Sequence, residues 1–175
     1  MNHVFIYGAP GVGKLTVAKE FSRISDYKLF HDHILQDSLS LIFEKGCQSW
    51  HFLRRNFYLD IVEEFYKNNQ NLVSTFCYCF PRDDEFIKEL LRKSEKYSVK
   101  LFFVRLVCDF EEECRRISGI SREGTTKLRT KEELEKDLEK QNLNSPILFV
   151  DSFEIDNTKL SPEETAVKIS EHYKI

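Results

Sequence analysis

No stretch of this chain approaches the roughly 18 consecutive apolar residues that a bilayer-spanning helix requires. Its first residues, MNHVFIYGAPG, carry neither a basic n-region nor a small-residue cleavage site, so a cytoplasmic location is expected. An excess of positive charge is missing too: 26 Lys and Arg face 29 Asp and Glu, for a formal net charge of -3. That leaves no broad basic field for non-specific nucleic-acid binding, and nucleic acid is not expected as a partner. Glycine and proline are scarce, at six and four residues. Without a Gly/Ser linker, a repeat or a low-complexity tract, residues 1–175 read as a single domain. The cysteines, Cys47, Cys77, Cys79, Cys108 and Cys114, form no C-x-x-C pair, and their odd number argues for reduced, mostly buried thiols rather than a disulfide frame.

What the chain does contain is an alternation of short apolar runs and helical patterns. HVFIY, YKLF, NLVSTFCYCF, VKLFFVRLV and FEIDN read as strands, the third closed by Pro81 and the fourth almost continuously apolar, as buried parallel strands are. Helical spacing covers residues 14–24, 34–43, 50–66 and 83–97, with a break at Gly46. Asp109, Thr130 and Ser161 each stand three residues before a glutamate, Glu112, Glu133 and Glu164, the pattern of a capping box at a helix start. Strands alternating with helices imply right-handed crossovers and an α/β fold with a parallel sheet covered on both faces. In such sheets the ligand crevice lies beyond the carboxyl ends of the strands. The glycine loop, HDH, YCFPR and DN all follow strands, so they are expected to meet at one edge.

The glycine loop is the most specific signal. Gly8, Gly11, Gly13 and Lys14 satisfy G-x-x-x-x-G-K between a strand and a helix, where backbone N–H groups and the helix N-terminus can cradle phosphates. Gly8, Gly11, Val12, Gly13, Lys14, Leu15 and Thr16 are therefore the candidate nucleotide-binding residues, with Lys14 also catalytic through its charge on the outer phosphates. Leu15 stands where the motif normally puts a Ser or Thr for magnesium, and Thr16 offers a hydroxyl one residue later.

GAPGVGKLT resembles the phosphate loop of adenylate kinases, G-A-P-G-x-G-K-G-T, in which the residue after the lysine is also non-hydroxylic. FPR (residues 80–82) is similar to the D-G-F-P-R of nucleoside monophosphate kinases, and Arg116-Ile117-Ser118-Gly119 to the R-I-x-G that opens their lid. Tyr78, Cys79 and Ile120 depart from that pattern. The same architecture serves shikimate and gluconate kinases and chloramphenicol phosphotransferase, and GKLT with LFHDH is similar to bacterial ATP-binding proteins described as kinase-like. The resemblance implies a three-layer P-loop kinase fold with strand order 2-3-1-4-5, an acceptor-binding helical region about 32–68, and a lid about 118–131. It also implies ATP and Mg²⁺ as cofactors and a phosphotransferase acting on a small-molecule acceptor: a nucleotide, a nucleoside or another small hydroxyl metabolite.

Phosphoryl transfer needs positive groups around the migrating phosphoryl, a metal and a positioned acceptor. Arg116, Arg122 and Lys127 are the candidates to close over the phosphates, the first two as catalytic groups, with Arg116 and Lys127 also touching the nucleotide. Asp32, after the second strand, is the candidate to hold magnesium with Thr16 or to accept the acceptor's proton; a helix N-cap is its structural alternative. His33, Arg54 and Arg82 are the remaining acceptor-binding candidates, Arg54 because it continues the apolar stripe of Tyr58, Ile61, Val62 and Phe65. The aromatics of residues 50–66 are expected in the core. Two other classes fit a phosphate loop: an NTP-hydrolysing switch of the AAA type, and a nucleotide-binding protein without turnover, which Leu15 and Tyr78 would suit.

Overall fold

The computed structural model describes residues 1–118 and 130–175. The elements run β1 (Asn2–Tyr7), α1 (Lys14–Ile24), β2 (Lys28–His31), α2 (His33–Leu39), α3 (Gln48–Lys67), β3 (Leu72–Phe76), α4 (Asp84–Lys96), β4 (Lys100–Val107), α5 (Phe110–Ile117), α6 (Lys131–Lys140), β5 (Ser152–Asp156) and α7 (Pro162–Tyr173). The five strands form one sheet in the order β2-β3-β1-β4-β5, every pairing parallel. Both the α/β class and the 2-3-1-4-5 order are as the sequence and its resemblance imply.

Side-chain alternation along β1 divides the core into two layers. Phe5 and Tyr7 point into a cluster with Tyr58, Tyr66, Phe86 and Leu90 of α3 and α4. Val4 and Ile6 point the other way, against Val17 and Phe21 of α1 and Ala166 and Ile169 of α7. With both faces covered, β1 and β3 are almost wholly buried, which is why their sequences are apolar without alternation. Burying a side chain of this size contributes about 1.5–3 kcal/mol, so the helical layers fix the sheet edge from which the site is built.

Several local expectations are revised. The third strand ends at Phe76, not at Pro81; residues 77–80 leave the sheet, and Phe80 makes only an isolated antiparallel bridge with Asn142. The capping boxes at Thr130 and Ser161 are formed, but the Asp109 side chain makes no cap bond. The Asp109 N–H instead donates to Thr158 Oγ1 at 2.9 Å, so a contact across the fold replaces the local pattern. Among the cysteines, all free, only Cys79 is fully buried, because Cys77 and Cys108 lie just past strand ends at the rim of the sheet. In α3, Trp50, Tyr58 and Tyr66 are core residues, whereas Phe52 and Phe57 are exposed.

Candidate active site

Beyond the carboxyl ends of the strands lies a cleft of about 1320 Å³. Lys14 after β1, Asp32 after β2, Cys77 and Arg82 after β3, and Asn157 after β5 all line it. The sheet thus gathers groups separated by up to 143 positions onto one edge, as a parallel topology requires.

At one end, the loop between β1 and α1 is pressed against neighbouring elements. Gly8 has φ +146°, and a Cβ there would stand 2.3 Å from the Leu106 carbonyl oxygen of β4; at Gly11, with φ +96°, it would stand 2.6 Å from Glu113 Cγ of α5. Only glycine allows the backbone this close approach. Lys14 Nζ lies within the loop and donates to the carbonyls of Gly8 (2.8 Å) and Ala9 (2.6 Å). Leu15 and Thr16 both line the cleft, Thr16 exposed at the start of α1. Val12 is buried, and its carbonyl accepts from Arg116 Nη1 (3.2 Å) and Asn157 Nδ2 (2.9 Å).

Arg116 is a strut. Besides Val12, it donates to Asn157 Oδ1 (3.0 Å), the Asn157 carbonyl (2.8 Å) and Glu112 (2.7 Å), tying α5 to the phosphate loop and to the segment after β5. Hydrogen bonds from Arg115 first and Arg116 second lower the Glu112 carboxyl to about 2, so it stays ionised opposite both guanidiniums. The expected lid falls largely on residues 119–129, and Arg122 and Lys127 lie outside the described residues.

The other end is held by side-chain ion pairs. Asp32 and Arg54, expected to serve metal or proton transfer and acceptor binding separately, are each other's partners. Arg54 Nε donates to Asp32 Oδ1 at 2.7 Å, its Nη2 donates to Oδ2, and Gln36 Nε2 adds a bond to Oδ2 at 2.7 Å. Both side chains are 4% exposed. The guanidinium also sits over the rings of Phe76 (4.5 Å) and Trp50 (5.3 Å), which attract it through their π faces. Asp32 makes no N-cap bond to α2. His33 and Gln36 line the same wall, as do Trp50, whose Nε1 donates to Ser40 Oγ (3.1 Å), and His51. Burial first, then Arg82, Arg55 and Arg54, lower the His51 imidazole to about 4, so it is neutral near pH 7. Cys77 forms part of the floor, its thiol pushed up by burial.

Arg82, exposed at the cleft mouth, donates to Gln141 Oε1 (2.9 Å), with its Nε 3.8 Å from Asp83 Oδ1. Arg55, next to Arg54 but off its stripe, pairs with that same buried Asp83 at 2.5 Å. Among the described residues no group of three or more His, Cys, Asp or Glu forms a metal cluster. Sequence reading missed Gln36, His51, Asp83 and Asn157; of these only Asn157 carried a signal, as part of the DN that follows the last strand.

No protein-family model and no curated sequence matches the chain. Solved structures do. A sugar kinase from Janibacter superposes with a TM-score of 0.73 at 14% identity, covering 100% of this chain and 95% of that one. The APS kinase of Mycobacterium tuberculosis, solved with AMPPNP and APS, gives 0.66 at 13% over 99% and 98%. Shikimate kinase from Acinetobacter baumannii, solved with shikimate, gives 0.63 at 15% over 98% and 92%. The fold is that of the P-loop small-molecule kinases. No described helix of this P-loop kinase fold is long and apolar enough to cross a membrane.

Proposed function

We propose that this protein is an ATP-dependent phosphotransferase that moves the γ-phosphoryl of ATP to a small-molecule acceptor, a nucleotide, a nucleoside or another small hydroxyl metabolite. The observation that carries the reading is one cleft with two differently built ends: a backbone cradle around Lys14, and a side-chain wall at Asp32, Arg54 and His33. The sugar, APS and shikimate kinases of like fold support it.

The residues fit a polyphosphate, since a Cβ would fill the space at Gly8 and Gly11 and Lys14 supplies a charge inside the loop. They also fit magnesium held mainly by water and substrate phosphates, the ion's usual habit, with Thr16 and Asp32 as the cleft-lining protein oxygens assigned to it. When bound, the metal would neutralise phosphate charge as it shifts in transfer. The chain's own groups do the rest. Lys14 stabilises the outer phosphates, while Arg116 holds Val12 and Asn157 so that the loop keeps its shape. Arg122 and Lys127 add positive charge from the lid. Asp32, its charge matched by Arg54, orients the acceptor hydroxyl through its remaining lone pairs, beside His33 and Arg82. Positioning of this kind supplies most of the catalysis in phosphoryl transfer.

The test is to follow ADP release from magnesium ATP across a panel of nucleotides, nucleosides, sugar acids, shikimate and antibiotic acceptors. Acceptor-dependent release supports the proposal. Equal release with and without acceptor would indicate an NTP-hydrolysing switch, and tight ATP binding without release a protein that has lost turnover.

A further inference from the structure

A second cavity of about 650 Å³ opens beside the acceptor end and shares His51 and Arg82 with the main cleft. Phe43, Phe52 and Leu53 give it an apolar wall, and Arg55 and Arg82 stand on the opposite chemistry. Three features make it more than a surface dent. First, charge does not balance: Asp83 is the carboxylate for both arginines, and its second oxygen is already taken by the Cys79 N–H at 2.9 Å. Second, Arg55 Nε and His51 Nδ1 are buried and have no hydrogen-bond partner among the described residues. Such atoms ordinarily find a partner, because a buried donor or acceptor left unsatisfied keeps the full cost of its desolvation. Third, Phe52 is 63% exposed although it belongs to the wall of a cavity, an arrangement that an apolar ligand group would cover.

We infer that this cavity is the acceptor's second subsite, and that the acceptor carries an apolar or aromatic arm bearing an anionic group. The arm lies against Phe43, Phe52 and Leu53, and the anion meets Arg55 and Arg82, with His51 at the passage from the main cleft. Apolar surface supplies contact while the planar guanidiniums read the anion, a division common in small-molecule sites. This inference rests on the kinase reading only for the word acceptor; the subsite itself is a binding property.

The test uses 3-phenylpropionate as probe, with propionate lacking the ring and 3-phenylpropan-1-ol lacking the charge. Each is titrated calorimetrically into the protein holding magnesium ADP, so that the phosphate loop is filled. The expected result is that 3-phenylpropionate binds at least tenfold more tightly than either control. Phe52→Ala and Arg55→Lys should each weaken it at least fivefold while leaving magnesium ADP affinity unchanged. Equal binding of the three probes, no binding, or wild-type affinity in Phe52→Ala would overturn the proposal. Arg55→Lys keeps a cation for Asp83; should it still unfold, the exposed Phe52 position decides alone. Failure of magnesium ADP to bind the wild-type protein would sink the kinase reading, whereas probe failure with ADP bound would sink only the subsite.

Discussion

The two ends of the cleft are held by opposite means. At the glycine-loop end the contacts run through backbone: glycines against Leu106 and Glu113, Lys14 on the carbonyls of residues five and six positions before it, Val12 receiving Arg116 and Asn157. At the Asp32–Arg54 end they run through buried charge, with Arg54 on Asp32 and Arg55 on Asp83. A backbone cradle serves any polyphosphate and tolerates change in the side chains around it. A wall of paired side chains defines a particular shape and charge, and each member depends on its partner. The difference separates what the protein shares with the kinases of like fold from what is its own.

Substitutions can break this contrast or sharpen it. The largest effect is expected from Arg54→Ala, which strands the buried Asp32 carboxylate: a stability loss of about 3–5 kcal/mol in urea unfolding. A loss under about 1 kcal/mol would show that the acceptor wall does not depend on the pair. Lys14→Ala should reduce turnover about 10²- to 10³-fold with the unfolding midpoint nearly unchanged, since the side chain is only part-buried. Wild-type turnover in that variant would refute the site. Arg116→Ala removes bonds to Val12, Asn157 and Glu112 and should weaken magnesium ADP binding about tenfold, measured by calorimetry, while acceptor KM stays constant. The smallest effect belongs to Arg82→Ala: a rise of about three- to fivefold in acceptor KM, in keeping with an exposed charge, and no change in KM for ATP. An unchanged acceptor KM would exclude direct contact.

The same contrast explains what could be read from the sequence. The phosphate loop is contiguous and its glycines are demanded by backbone geometry, so a seven-residue pattern was enough to place it. The capping boxes at Thr130 and Ser161 are equally local, each spanning four residues. Asp109 shows the limit, because Thr158, 49 residues away, supplies the bond that the local pattern assigned to Glu112. Asp32 and Arg54 were both recognised, yet nothing in their spacing of 22 residues says that each would take up the other's charge. Helical geometry put Arg55 off the core stripe but not onto Asp83, since that pairing depends on how α3 meets the start of α4. His51 gave no signal at all: a lone histidine in an amphipathic helix acquires meaning only when two cavities are seen to meet beside it.

Trp50 is the chain's only tryptophan, and it stands in the Asp32–Arg54 wall, with the His51 ring 5.1 Å away and the Arg54 guanidinium 5.3 Å from its own ring. The protein therefore comes with a single tryptophan fluorophore whose surroundings include the His51 ring and the Arg54 guanidinium of the Asp32–Arg54 wall. Stopped-flow mixing could time acceptor arrival separately from ATP arrival, without a label and without altering a residue.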